Sequence, residues 1–386
     1  MTAYVRFPVK KSIFNWVIEN GDKNVEAIND KFDQFQKWLS GEVEPTVKQI
    51  QDFSKFTSVP FGYFFLNDPP KEEIPALKFR TVGNKNAKAS RALIETLNEM
   101  EYRQSWMKDY LSENGQDNPI EIVGSFSVDS RINDVIEYAT KKLDITNIKE
   151  NKIEEFYKKL RNSIESQGIL VMQNGVVGNQ NKRSLKVSEF RAFVLIDDVV
   201  PLIFINRADS RTANIFSLVH EFVHVIIAKD EILNVDEFTE INKSEEQWIN
   251  EVTAGILVPK QVIRSYVEKY SSTKGNDYVI KRIAQKMHVS PIVVAIRMNK
   301  MKLCSGNDID NIKQEQTSLI NNKVKVSGGN YYSTQKSRID GNFMYAVMDS
   351  RNSGSISASE ASSLVGVKKV ETYNALMKSF REDNGL

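Results

Sequence analysis

The segment His220-Glu221-Phe222-Val223-His224 constrains this chain more than any other feature. It lies inside Asn214-Ile-Phe-Ser-Leu-Val-His-Glu-Phe-Val-His-Val-Ile-Ile-Ala228, an apolar run that reads as a helix. On a helix, positions i and i+4 share one face, so the two imidazoles leave the same side of a single turn. Two histidines placed this way can hold one zinc ion with bonds of about 2.0–2.1 Å. Glu221 follows the first histidine and is near enough to meet a water on that ion without being a ligand itself.

This is the H-E-x-x-H pattern of zinc peptidases. Zinc lowers the pKa of a bound water to about 7, and Glu221 is the expected base that takes the proton as a carbonyl is attacked. The competing reading is a buried helix whose histidines are satisfied by core neighbours. An open catalytic site needs a third protein ligand. The next helical stretch, Glu245 to Pro259, offers Glu246 first, with Glu251 and Glu245 as runners-up. Glu246 and Asn250 are four apart and share a face.

Composition narrows the alternatives. The 386 residues hold 52 Lys and Arg against 50 Asp and Glu, a net charge of +2, which argues against a chain whose main work is coating nucleic acid or an anionic membrane. The single cysteine, Cys304, excludes an intramolecular disulfide and a cysteine-based zinc site. No apolar run reaches the roughly 18 residues of a membrane span. The N-terminal residues lack the apolar core of a signal peptide, so the expected location is the cytoplasm.

Punctuation divides the chain. Asp68 to Pro75 reads as a stiff linker, and the polar stretch from about Cys304 to Asn330 reads as a second one. The expected class is α+β, mostly helical. Four segments are expected: a helical bundle over 1–67, a linker and helical segment over 68–165, the H-E-x-x-H domain over 166–306, and a linker with a small helical domain over 307–386. Within the third, Phe190–Ile196 and Val199–Ile205 read as a β-hairpin, with Ile169–Met172 as a further strand of a small antiparallel or mixed sheet.

Several motifs then occur in order: Phe190-Arg-Ala-Phe193, Ile203-Phe-Ile-Asn206, Phe216-Ser-Leu-Val-His220-Glu-Phe-Val-His224, Glu246-x-x-x-Asn250-x-x-Thr-Ala254 and Leu257-Val-Pro259. Together they resemble the ImmA/IrrE family of bacterial zinc metallopeptidases. Ser217 stands where the family commonly has Thr, and Val252-Thr-Ala-Gly255 replaces a Phe-Ala-Ala core; both are packing changes. Carried over, the resemblance implies His220, His224 and Glu246 as zinc ligands, Glu221 as catalytic base and His288 as a packing residue. Phe14-Asn-Trp16, Trp38-Leu-Ser-Gly41, Pro45-Thr46 and Val59-Pro-Phe-Gly-Tyr-Phe-Phe65 are similar to the XRE-type helix-turn-helix often fused before such peptidases.

The resemblance implies a regulator that cleaves a co-encoded repressor or a toxin–antitoxin component. An alternative is a protein-binding regulator or DNA-binding repressor with a non-catalytic zinc site. Operator DNA and a second copy of the chain are further expected partners. For DNA, Gln34, Gln36 and Lys37 are the residues that could reach bases. Basic and acidic residues are equal in number over 1–67, however, and phosphate neutralisation supplies most DNA affinity. For the substrate, metallopeptidases bind peptide as an added strand. The hairpin is the expected edge, which nominates Phe193, Leu195 and Asn206.

Overall fold

The computed structural model describes residues 5–72, 89–145, 148, 152–228, 231–233, 244–270, 273–320 and 331–384. The chain divides into two compact units, residues 1–98 and 99–386.

In the first unit, α1 (Lys11–Asn20), α2 (Val25–Lys31), α3 (Phe35–Ser40) and α4 (Val47–Thr57) are followed by a 3-10 turn, Phe61–Phe65. The helix ends follow local chemistry. Asn24 accepts a hydrogen bond from Ala27 N at the start of α2, and Thr46 and Gln49 close a reciprocal capping box at the start of α4. Gly41, in the left-handed region, ends α3. Phe14, Phe35, Trp38 and Phe53 fill the core, with Phe53 in ring contact with each of the other three.

The second unit is built on one four-stranded sheet. After α5 (Arg91–Glu113), which begins in the first unit, come α6 (Ile132–Lys142) and α7 (Ile153–Glu165). The strands are β1 (Leu170–Asn174), β2 (Ala192–Leu195), β3 (Leu202–Asn206) and, beyond α8 (Arg211–Ile226), β4 (Glu231–Leu233). Their order is β1-β3-β2-β4. β1 runs parallel to β3, while β2 is antiparallel to both β3 and β4. The expected hairpin and third strand are therefore present. Gln104 of α5 pins the hairpin's turn end, donating to Leu195 O at 3.0 Å and Val200 O at 2.7 Å.

α8 is buried from Asn214 to Ile226, as expected of a helix that is apolar all round. It lies against β2 and β3 and packs on α7 and α9 (Ser244–Leu257). α10 (Lys260–Tyr270), α11 (Asn276–Met287), α12 (Pro291–Lys300) and α13 (Gly306–Ile320) continue this layer. The last four helices are α14 (Tyr331–Arg338), α15 (Gly341–Ser353), α16 (Ala358–Leu364) and α17 (Val370–Asn384).

Two findings depart from the sequence reading. First, α6 and α7 share one core with α8, α9, α11 and α12, through Val135, Ala139, Leu160 and Ile164. They belong to the body of the second unit, whereas the sequence reading set 68–165 apart from the domain over 166–306. α6 can approach α9 closely because Gly255 has no side chain: a Cβ there would lie 2.1 Å from Ile136 Cδ1. Second, most of the expected linker after Cys304 is α13. Ser305 Oγ accepts from Asp308 N, Asp308 Oδ2 accepts from Ser305 N, and Ile312 buries against the core. Residues 73–75 of the first expected linker and 321–330 of the second lie outside the described residues.

The C-terminal helices are fastened to β1 by a buried polar cluster. Asp340 caps α15, accepting from Asn342 N at 2.8 Å and Phe343 N at 3.1 Å, and also accepts from Val171 N at 3.0 Å. Arg161 donates to Glu165 at 2.6 Å, to Val171 O at 2.7 Å and to Ile339 O at 2.8 Å. Glu165 is hydrogen-bonded to Asp340. Burial pushes both carboxyls up, Glu165 to about 8, with Arg161 pulling the other way and the neighbouring Asp340 adding to the rise. One proton between two such carboxyls relieves their repulsion.

The folded chain therefore keeps a proton on Glu165 that the unfolded chain releases above about pH 4.5. This contribution to stability is complete at low pH and is lost as pH rises from that value toward about 8. Thermal unfolding of wild type and Glu165→Gln across this range checks it. The difference between the two melting temperatures is expected to shift in favour of the variant as pH rises, and a constant difference would contradict the assignment.

Candidate metal centre

α8 begins where Asn206 ends β3. Asn206 donates to Phe190 O at 3.0 Å and accepts from Ala208 N at 3.0 Å, shaping the turn into the helix. Ser210 then caps it, accepting from Ala213 N at 3.3 Å. From that start, helical geometry carries His220, Glu221 and His224 into the interior, where each is fully buried.

His220 Nε2 and His224 Nε2 are 3.1 Å apart. Glu246, near the N-terminus of α9 and 1% exposed, brings Oε2 to 3.5 Å from His220 Nε2 and Oε1 to 3.9 Å from His224 Nε2. Among the described residues, these three are the group of histidine, cysteine and acidic side chains placed to share a metal ion, with ligand atoms all within 4.8 Å of one another. Atoms bound tetrahedrally to zinc at about 2.0–2.1 Å are themselves roughly 3.3 Å apart, so the spacing fits. The charge fits too. Two neutral imidazoles and a carboxylate carry one negative charge into an apolar core, which costs several kcal/mol unless a cation meets it.

The runners-up go elsewhere. Glu251 faces Lys300, with 2.8 Å between carboxylate and ammonium, and Glu245 is only partly buried. His288 caps the end of α11, with its ring 5.1 Å from that of Phe156. Three further buried polar atoms stand out on α8 and α9. His220 Nδ1, Asn250 Oδ1 and Thr253 Oγ1 are buried without a hydrogen-bond partner among the described residues. Metal-bound histidines generally donate their other ring N–H to an acceptor, and Asn250 and Thr253, one and two turns along α9 from Glu246, carry acceptors of that kind. The spacing of Glu246, Asn250 and Thr253 along one helical face was the available signal.

The expected substrate contacts do not emerge at the hairpin. β2 is paired on both sides, to β3 and β4, and β3 is paired to β1 and β2, so neither offers an open edge. Phe193 is fully buried and stacks on Phe204 at 5.0 Å, Leu195 is buried, and Asn206 is committed to the turn before α8. Gln34, Gln36 and Lys37 are exposed around α3, with Gln36 bonded to Asn29 and Lys37 3.7 Å from Glu42.

Residues 164–299 match the family model described as the IrrE N-terminal-like domain, peptidase family M78. That span runs from the end of α7 to α12 and contains the whole sheet and all three clustered side chains. It supports a metallopeptidase-like domain of the ImmA/IrrE type and a zinc ion as its metal. No curated protein matches the chain. No helix among the described residues is long and apolar enough to cross a membrane.

Replacing Glu246 or His224 by Ala is expected to weaken zinc binding by more than the roughly 10–100-fold that loss of a supporting outer residue costs. Glu251→Ala should leave it unchanged. Metal content by mass spectrometry, with competition against a chelator, distinguishes the two. Equal zinc retention by Glu246→Ala and Glu251→Ala would show that α9 supplies no ligand through Glu246.

Proposed function

We propose that the chain is a zinc-dependent endopeptidase acting on a specific protein partner, a repressor or a component of a toxin–antitoxin system encoded with it. The convergence of His220, His224 and Glu246 carries the reading, with Glu221 beside them as a buried carboxylate. Bound there, zinc would supply Lewis acidity to a carbonyl and to water. The two imidazoles and Glu246 hold the ion. Glu221, one residue past His220 on the rigid α8, is the side chain suited to accept a proton from the attacking water and return it to the leaving amine. A purely structural site would have no use for a carboxylate at that position.

The substrate reading moves from the hairpin to β4. β4 is the outer strand on the β2 side of the sheet and follows the histidine helix in the chain. At the opposite border, Val171 N and O of β1 are already taken by Asp340 and Arg161. An extended peptide adding to β4 would gain main-chain hydrogen bonds there. For the N-terminal unit, the balanced charge and the engaged Gln36 and Lys37 favour contact with the protein partner over operator DNA.

Glu221→Gln is expected to retain zinc while cleavage of the co-encoded partner falls by about 10²–10⁴-fold. Wild type and variant would be incubated with each protein encoded beside the chain, with products read by mass spectrometry. If both bind zinc and both leave every candidate intact, the chain is a zinc-containing binding protein instead. With a cleavable partner trapped on Glu221→Gln, amide exchange should slow at 231–233 and stay unchanged at 192–195. Slowing confined to 192–195 would reject β4 as the docking strand.

A further inference from the structure

Between α15 and α17, well outside the residues of the metal centre, lies an open cavity of about 580 Å³. Three cations line it: Arg351, Lys378 and Arg381. Arg351 and Lys378 have no ion-pair partner among the described residues. Arg381 donates only to neutral atoms, to Met348 Sδ at 3.1 Å and to Asn352 Oδ1 at 3.4 Å. One acidic side chain, Glu382, lines the same cavity and forms no ion pair with any of them among the described residues. In another cavity, beside α7, Arg211 pairs with Glu154, Lys336 with Asp383 and Arg161 with Glu165, while Arg207 and Lys158 have no ion pair among the described residues. Cations held together without counter-ions repel one another, and an anion relieves that repulsion.

The remaining wall completes a recognition surface. Tyr373 is 4% exposed, yet its hydroxyl has no hydrogen-bond partner among the described residues and the residue lines the cavity. Arg351 and Arg381 line the same cavity, and their positive charge opposes the rise in the phenol's pKa that burial causes. Asn374 adds an amide, and Met348 and Met377 give an apolar floor. Arginines with hydroxyl and amide donors suit a phosphate group, whose monoester form carries nearly two negative charges at neutral pH. The cavity is larger than a phosphate ion needs and falls within the range of small-molecule sites, roughly 300–1,000 Å³. Its tyrosine and methionine walls suit a flat apolar group attached to the phosphate.

We propose that α15 and α17 form a binding site for a small phosphate monoester bearing a flat ring, a ligand of the nucleoside monophosphate class. Arg351, Lys378 and Arg381 neutralise the phosphate, the Tyr373 hydroxyl donates to it, and the methionines meet the ring. The site stands apart from the peptidase reading and does not depend on it.

The test is calorimetric titration of the full-length chain at low salt with the four common nucleoside monophosphates, inorganic phosphate, the uncharged nucleosides and a short single-stranded oligonucleotide. The variants are the double Arg351→Gln/Lys378→Gln and the single Tyr373→Phe. Lys378 is exposed and Arg351 half-exposed, so the double variant should fold, which its circular dichroism spectrum and melting temperature would show. The expected result is one site per chain for at least one nucleoside monophosphate, weakened by about tenfold or more in the double variant, and less in Tyr373→Phe. Uncharged nucleosides should not bind. Several outcomes would overturn the proposal. They are no binding by any phosphate compound, equal binding by a folded double variant, equal binding of uncharged nucleosides, or inorganic phosphate binding as tightly as every nucleotide. Much tighter binding of the oligonucleotide would reassign the surface to nucleic acid and overturn the small-ligand assignment.

Discussion

The arrangement of the second unit rests on the burial of one carboxylate between two imidazoles. Glu246, His220 and His224 lie inside a core whose other members are almost all aliphatic or aromatic. His220 Nε2 and His224 Nε2 are 3.1 Å apart, and Glu221 is another buried carboxylate on the same helix. A divalent cation bound there would meet both imidazoles and the Glu246 carboxylate together. Metal binding at such a site adds directly to folding free energy, because the ligands are brought together only in the folded chain. The packing of α8 against α9 and of α6 against α9 can be understood as the scaffold that fixes this geometry.

A second buried polar centre governs the sheet's borders. An open strand edge invites uncontrolled pairing, and proteins usually cover it. Here β1 is covered by the chain's own C-terminal region. Asp340 and Arg161 satisfy the N–H and C=O of Val171, and Gln173 donates to Ser337 O. Closure at β1 leaves β4 as the border strand with a short, three-residue span beside the histidine helix. A short strand is poorly suited to indiscriminate aggregation.

Much of this was legible from residues alone, for identifiable reasons. The convergence of the three side chains was readable because helical spacing is strictly local: His220 and His224 are one turn apart, and Glu246 lies on the next predicted helix with few rivals. The hairpin was readable because two β-rich runs flank Asp197-Asp198. What escaped depends on distant partners. Which strand is an edge is set by β4, a three-residue segment too short to carry a period, and by contacts such as Val171 to Asp340, 169 positions apart. The core role of α6 and α7 was missed because an amphipathic pattern shows that a face is buried without showing against what. α13 was a local error: Ser305 and Asp308 form a helix-start signal within a polar stretch that was read as linker by composition.

The distribution of unpaired charge separates the two ends of the chain in function. In the N-terminal unit Lys37 approaches Glu42 and Lys48 pairs with Asp52 at 3.0 Å, while Lys31 has no ion pair among the described residues. Asp30 and Asp33 add negative charge to the same region. Surface pairs of this kind contribute little to stability, but each one removes a cation from the pool available to phosphate. In the C-terminal helices the opposite holds, since Arg351, Lys378 and Arg381 line one cavity and none is neutralised by a carboxylate among the described residues. That grouping of cations is the electrostatic ground for the anion site proposed at α15 and α17. The N-terminal helix bundle combines an aromatic-rich core with equal numbers of basic and acidic residues over 1–67.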